Sequence, residues 1–419
     1  MSLDFFNYPR PKITFHLVCP GCASIKARLA LRSTEVTMKF QVNRDVFSEA
    51  VSFAVKLLPQ RTTLPILSGV LLDASADGLT LSSFDYEVST RATIVADVEE
   101  DGRVLVSGRL LADIASRLPN APVHIGTEGS KIVVRCGSAN FTLLSMPVEE
   151  YPTLPEVAGE SGVLPAEAFA AAVSQVAVAA SRDDVTPVIT GVQLEVGENS
   201  LSLVATDRYR VAIREIDWES KDAGAAETAT ALVPARTLIE VGKTFGHSGT
   251  ISVSISSSDE RELIAFSADK KTVTSLLIKG NFPPVRRLFP ESPENYAVAN
   301  TADLIEAVRR VSLVLEREAA LRFTFSLDGI TLEAIGSEQA QASETIEGHL
   351  NGSDTVVSLK PQFLLDGLGA VHSEFVRISF TKTDNPNKPG PVLITSQSSK
   401  DQAGADNYKY LLQPNLLLR

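Results

Sequence analysis

An internal repeat constrains this chain more than any other feature. Pro65-Ile66-Leu67-Ser68-Gly69-Val70-Leu71-Leu72 returns 122 residues later as Pro187-Val188-Ile189-Thr190-Gly191-Val192-Gln193-Leu194. The same offset carries Thr80-Leu81-Ser82-Ser83-Phe84-Asp85-Tyr86 onto Ser202-Leu203-Val204-Ala205-Thr206-Asp207-Arg208, matching Asp85 with Asp207. A third, weaker copy runs from Leu321 to Leu332. Val106-Ser107-Gly108-Arg109 reappears as Val233-Pro234-Ala235-Arg236 and as Val357-Ser358-Leu359-Lys360, at offsets of 127 and 124, with a basic residue three places in each time. Three copies of one unit fold as a small array. Drift in the offset is what surface loops tolerate, because closure entropy grows slowly with length. Starting at Met38, the chain divides into units of roughly 127 residues, an ordinary domain size: 38–158, 159–295 and 296–419.

Composition narrows the class. With 44% hydrophobic and 21% charged residues the chain can bury ordinary cores, and it contains no run near the ~18 apolar residues a membrane span needs. Cys19, Cys22 and Cys136 are its three cysteines, too few for a disulfide framework, which fits a reducing cytoplasm. Residues 1–37 read as an appendage, either an extension without fixed structure or a misplaced start, since Met38-Lys39-Phe40 opens the first regular strand. His16, Cys19 and Cys22 form H-x2-C-x2-C, but a closed zinc site wants four ligands and no second pair follows. No metal and no cofactor are expected.

Strand-like runs such as Lys131–Cys136 and Thr250–Ile255 alternate with turn residues. Two helical windows interrupt them per unit. Asn43 can cap a helix burying Val46, Phe47, Ala50, Val51, Ala54 and Leu58, and a second from Arg109 buries Leu111, Ile114, Ala115 and Leu118. Pro165 and Pro234 suit a first helical turn. The third unit repeats the pattern with Leu304, Ile305, Val308, Val311 and Leu315, then Phe363, Leu364, Leu365 and Leu368. Six helices on strand-rich sheet make an α+β fold.

Net charge is −12, so nucleic acid cannot be bound through the whole surface. The six helical windows hold ten basic against nine acidic residues, and the negative excess therefore lies on the strands and loops. If the helices share one side, that side is the one DNA phosphates would tolerate. Arg61 and Arg182, just past two helices, add to it.

A search for catalytic constellations finds none. Gly242-Lys243-Thr244 lacks the leading glycine of a phosphate loop, Thr237 standing in its place. The five histidines are scattered singly, with no zinc-helix motif or nucleophile elbow. Asp85 and Asp207, at matching repeat positions before a turn, suit capping of local backbone N–H groups.

Met38-Lys39-Phe40, Thr63-Leu64-Pro65-Ile66-Leu67, Val204 through Ala212, and Phe282-Pro283-Pro284-Val285-Arg286-Arg287-Leu288-Phe289-Pro290 resemble the bacterial β sliding clamp family, the processivity subunit of DNA polymerase III. The resemblance covers about residues 38 to 419. It implies a noncatalytic protein whose two copies close head to tail into a six-domain ring, with helices lining a hole for duplex DNA. DNA-facing positions by this resemblance are Arg61 and Arg109, with Arg182, Arg236 and Lys360 added from the charge pattern and the repeat. A pocket between the second and third domains, for linear peptides of the polymerase α subunit, the clamp loader, repair polymerases and ligase, maps to Ile189, Thr206, Arg208, Tyr209, Arg210, Val211, Pro283, Arg287, Leu288, Leu411, Leu412 and Pro414. Gln413, Asn415 and Leu416 depart from the family pattern there. Deleting Leu411 through Arg419 is expected to weaken peptide binding while sparing the dimer. Ring closure maps to Phe141 and Leu143 against Leu313. The alternative is a monomeric three-domain peptide adaptor that never touches DNA.

Overall fold

One order of nine strands and two helices recurs three times. The computed structural model describes residues 37–416 apart from 60–62, 158, 160, 222–228, 258–261, 291–292, 317–318, 337–339, 382–388, 400–401, 403 and 405–406. The first unit runs β1 (Lys39–Val42), α1 (Arg44–Val55), β2 (Gly69–Ser75), β3 (Gly78–Phe84), β4 (Val88–Ile94), β5 (Asp97–Glu100), β6 (Gly102–Ser107), α2 (Gly108–Ala115), β7 (Val123–Glu128), β8 (Lys131–Cys136) and β9 (Ala139–Leu144). The second follows with β10 (Gly162–Pro165), α3 (Ala166–Val176), β11 (Gly191–Val196), β12 (Ser200–Thr206), β13 (Arg210–Asp217), β14 (Glu219–Ser220), β15 (Ala229–Pro234), α4 (Ala235–Phe245), β16 (Thr250–Ser257), β17 (Glu262–Ala268) and β18 (Lys271–Leu276). The third has β19 (Tyr296–Asn300), α5 (Thr301–Val311), β20 (Leu321–Ser326), β21 (Gly329–Ile335), β22 (Gln341–Ile346), β23 (His349–Asn351), β24 (Thr355–Leu359), α6 (Pro361–Ala370), β25 (Phe375–Phe380), β26 (Val392–Gln397) and β27 (Tyr408–Leu412).

Local chemistry sets the helix starts. Asn43 Oδ1 accepts from the Asp45 and Val46 N–H groups at 2.9 and 3.3 Å, and Asn300 Oδ1 repeats this for Ala302 and Asp303. Such caps satisfy N–H groups that a helix leaves unpaired at its first turn. Pro165 and Pro234 occupy the same cap position, one place before the first turn where the sequence put them, as the last residues of β10 and β15. Apolar faces then bury Phe47, Val51 and Ala54 on α1, Phe169 and Val173 on α3, and Leu304 and Val308 on α5. Val46, expected inside, is largely exposed. Gly78 and Gly329, at φ 116° and 128°, close matching hairpins that a side chain would strain.

Each unit contributes a five-stranded and a four-stranded half-sheet, and neighbours join these halves. The five strands of unit two continue through β18 and β4 into the four of unit one, giving the order β14-β10-β16-β17-β18-β4-β3-β2-β6. The five strands of unit three likewise join unit two through β27 and β13. Left over are a five-stranded sheet ending at β9 and a four-stranded sheet ending at β22. Helices bridge the same junctions: Phe53 of α1 meets Phe245 of α4 at 6.1 Å between rings, and Gln175 of α3 donates to the Ala370 carbonyl of α6 at 2.6 Å.

Candidate functional site

The tip between β12 and β13 is held by its own aspartate. Asp207 Oδ1 accepts from the Tyr209 and Arg210 N–H groups, both at 3.1 Å, and holds Arg208 at φ 78°. Asp85 does the same for Glu87 and Val88, with Tyr86 at φ 74°. The repeated carboxylates therefore cap turns, as their spacing suggested. A non-glycine residue at positive φ is uncommon, and here each is held by two side-chain-to-backbone bonds.

The Arg210 side chain runs inward from this turn and binds the second unit to the third. Its Nε donates to Asp207 at 2.9 Å, its Nη1 to Asp366 of α6 at 2.6 Å and to the Tyr410 hydroxyl of β27 at 3.2 Å. Burial pulls the guanidinium down, but Tyr410, Asp366 and Asp207 outweigh it and hold Arg210 above its ordinary value. Burial also pushes the Tyr410 phenol up, so this hydroxyl stays neutral and donates to the Phe363 carbonyl at 2.7 Å.

Above the latch lies a cleft of ≈ 430 Å³. Tyr209, 57% exposed, stacks on Phe363 with ring centroids 6.0 Å apart. The Arg210 guanidinium lies 4.4 Å from the Phe363 centroid, and the Lys360 ammonium lies 5.5 Å from Phe363 and 5.8 Å from Tyr209. Ile189 lines the floor and Arg182, Asp183 and Thr186 the far wall, where Arg208 Nη2 donates to Thr186 Oγ1 at 2.5 Å. The lining is largely polar and charged, and Ala180, Ile189, Phe363 and the Tyr209 ring supply the apolar surface on which a peptide side chain can anchor.

Of the residues expected to form the pocket, Ile189, Arg208, Tyr209 and Arg210 line this cleft. Thr206 is buried and donates to the Arg210 carbonyl at 2.7 Å. Val211 and Leu411 pack with Val204, Ile213, Val285 and Leu393 in a small core, against half-buried Phe282 and Phe289. Leu412 belongs to the main core, and Pro414 is buried. Pro283, Arg287 and Leu288 are exposed on the segment beside that small core. Deleting Leu411 through Arg419 would also remove two residues of β27, Leu411 and Leu412, which pair with Val211 and Arg210, and leave Tyr408, Lys409 and Tyr410 on β13. Sequence reasoning missed Phe363 and Asp366, whose only signal was their place in the first turns of a helix.

Among the DNA-facing candidates, Arg109, Arg182 and Arg236 are exposed, Arg236 lying 3.3 Å from Glu87 of the first unit, while Arg61 lies outside the described residues. Lys360 is at the cleft, and the alignment that chose it is two residues out. Val70 faces Val106, Val192 faces Val233, and their counterpart Leu321 faces Leu359, not Val357. The residue equivalent to Arg109 and Arg236 is therefore Gln362. A two-residue slip leaves every strand side chain on its original face, so alternation cannot reveal it.

At the ends of the array, Phe141 on β9 is 36% exposed and Leu313, in the turn after α5, is 83% exposed. Leu143 is 3% exposed and packs into the first unit's core, so only its backbone is available to a partner. Leu144, 72% exposed, was not foreseen. Among the described residues no group of His, Cys, Asp or Glu is placed to hold a metal, and no helix is long and apolar enough to cross a membrane.

Three equivalent units zipped through shared sheets, with a binding cleft at one junction and an unpaired strand at each end, define a modular clamp scaffold. The family models for the DNA polymerase III beta subunit match in order: the N-terminal domain over residues 38–155, the central domain over 163–284 and the C-terminal domain over 286–402. A beta sliding clamp of Streptomyces coelicolor is 44% identical over 378 residues, covering 90% of this chain and 99% of the relative. A beta sliding clamp of Micrococcus luteus is 44% identical over 309 residues, 74% of this chain and 98% of the relative. The crystal structure of the DNA polymerase sliding clamp from Bacillus subtilis superposes with a TM-score of 0.82 at 25% identity, over 91% of this chain and all of that one. The chain belongs to the DNA polymerase III beta subunit family, the bacterial sliding clamps, which are noncatalytic processivity factors of replication.

Proposed function

We propose that two copies of this chain close head to tail into a ring in the cytoplasm, that duplex DNA threads it past Arg109, Arg182 and Arg236, and that the cleft at Tyr209 and Phe363 takes linear peptides of the polymerase α subunit, the clamp loader and other replication and repair proteins. One observation carries the closure: both internal junctions use one register. Val273 opposes Thr90 and Tyr410 opposes Ala212. Thr90 and Ala212 each stand four residues before the isoleucine, Ile94 or Ile216, that faces Leu79 or Leu201. The matching residue of β22 is Ala342, four before Ile346, which faces Ile330. Phe141 holds on β9 the place that Val273 holds on β18, since Val134 faces Phe141 as Phe266 faces Val273. Closure thus sets Phe141 of one chain opposite Ala342 of the other and joins the leftover halves into a third nine-stranded sheet, removing two edges that otherwise invite aggregation.

Directly opposed antiparallel residues lie about 4.5–5.5 Å apart at Cα, within disulfide reach. The Phe141→Cys, Ala342→Cys protein should therefore oxidise to a covalent dimer that stays on a nicked circular plasmid through gel filtration and leaves once the plasmid is linearised. Retention that ignores DNA topology, or a chain that stays monomeric, leaves the peptide adaptor as the better reading.

A further inference from the structure

Helix contacts at the two internal junctions follow one spacing. The first helix of each unit is capped by Asn43, Pro165 or Asn300, and the second by Ser107, Pro234 or Lys360. Phe53, ten residues past Asn43, packs its ring 6.1 Å from that of Phe245, eleven past Pro234. Gln175, ten past Pro165, donates to the carbonyl of Ala370, ten past Lys360, at 2.6 Å. Both contacts reach the last residue of the neighbouring unit's second helix. The same spacing leaves one pair for chain closure: Arg310 on α5, ten past Asn300, and Arg117 and Leu118 just beyond α2, ten and eleven past Ser107.

The chemistry of Arg310 suits such a contact. Its Nε and Nη2 donate to the two carboxylate oxygens of Glu344 on β22 at 3.1 and 2.6 Å. This two-pronged pairing fixes the plane of the guanidinium and leaves Nη1 with no partner among the described residues. The Arg117 carbonyl likewise accepts no hydrogen bond among them, whereas Arg44 Nε donates to the Leu118 carbonyl at 3.1 Å. Strand pairing makes the room. With Phe141 opposite Ala342, Ala139 falls opposite Glu344, and at that place the internal junctions carry Lys271 and Tyr408, opposite Ala92 and Arg214. The Lys271 ammonium lies 5.8 Å from the Phe53 ring centroid, so this strand position adjoins the helix position ten past the cap. At chain closure the large cationic group is on the helix, and the strand offers only the Ala139 methyl. A cation at the C-terminal end of a helix is also favoured by the partial negative charge of its last carbonyls. The Arg117 side chain is exposed, and Glu344 offsets the like charge that Arg310 brings beside it.

We propose that Arg310 is the helix contact of ring closure: its Nη1 donates to the carbonyl of the partner subunit's Arg117, as Gln175 donates to Ala370, while Nε and Nη2 stay on Glu344. This rests on the reading that two copies close head to tail, and it adds to the strand pairing a helix-to-helix bond at each of the two seams.

The test measures dimer dissociation of the full chain by sedimentation equilibrium and by subunit exchange between fluorescently labelled copies. Arg310→Ala should raise the dissociation constant at least about tenfold, the worth of one hydrogen bond from a charged group. Arg310→Gln, which copies the second junction, should restore it to within about threefold of the parent chain. Glu344→Gln removes the ion pair inside one chain but keeps the Nη1 donor, so it should shift the constant much less than Arg310→Ala. Equal losses from Arg310→Ala and Glu344→Gln, or no rescue by Arg310→Gln, overturn the contact, because Arg310 then acts only by holding β22. If Arg310→Ala dimerises as tightly as the parent while the Phe141→Cys, Ala342→Cys chain still oxidises to a dimer, the contact falls and the ring stands. If neither the parent nor the cysteine pair dimerises, the ring falls and the contact with it.

Discussion

Replacing Arg210 with Met keeps an unbranched apolar stem beside Phe363 and removes the one cation that joins Asp207, Asp366 and Tyr410. Removing one partner of a buried ion pair costs about 3–5 kcal/mol when the other charge is stranded. Here the carboxylates keep some relief: Asp207 and Asp366 retain 12% and 20% exposure, Asp207 still accepts two backbone N–H groups, and Gln362 donates to Asp366 at 2.7 Å. That argues for the lower end of the range, about 3 kcal/mol, and loss of the guanidinium over Phe363 adds about 1 kcal/mol, for a total of about 4 kcal/mol. The loss should concentrate where β13 meets β27. Urea unfolding followed through the single tryptophan, Trp218, which is buried at the end of β13, reads it from the second unit. Hydrogen exchange at the Lys409 and Leu411 amides, which face β13, reads it at the seam. Several units need not unfold together, so local exchange is the decisive measurement. Adding Asp366→Asn should recover at least about 1 kcal/mol, because one stranded charge is then gone. A shift under about 0.5 kcal/mol, or costs of the two substitutions that simply add, would refute Arg210 as a latch.

Tyr151 supplies a pH test. Its hydroxyl accepts from the Phe84 N–H at 2.7 Å and donates to the Gly69 carbonyl at 3.3 Å, and burial pushes the phenol up to about 12. A folded value above the unfolded one favours the neutral form, so this stabilisation is full below the ordinary phenol value of about 10 and is lost as pH rises from there toward 12. Tyr151→Phe should cost about 1 kcal/mol at neutral pH and flatten the alkaline decline in thermal stability, and an unchanged decline would show that Tyr151 is not its source. Leu313→Glu or Phe141→Glu should yield monomers by light scattering with each unit folded. Leu288→Glu should weaken partner-peptide binding several-fold and leave the dimer intact, and equal affinity would detach Leu288 from the site.

The repeat told most of the architecture, because local periodicity and capping act within a few residues. Asn43 caps where its sequence context said, and the six helices of the described residues lie where the apolar stripes placed them, while the matching cap by Asn300 was not foreseen. The errors share one physical origin. Lys360 was matched two residues out because alternation repeats every two residues. Val46 was assigned inward by spacing on a helix whose partner surface the spacing does not define. Phe363 read as one more apolar residue of a core stripe, although its ring forms a cleft wall under Tyr209.

By itself, then, the sequence determined three equivalent α+β units and a negative charge that lies outside the helical windows. Only tertiary structure decided how the units meet. Arg210 and Asp366 are 156 residues apart in the chain, and no local period links them. Their contact, the cleft above it and the two unpaired edges all follow from pairing one unit's last strand with its neighbour's fourth. That choice depends on which surfaces bury one another, and burial is a property of the folded chain.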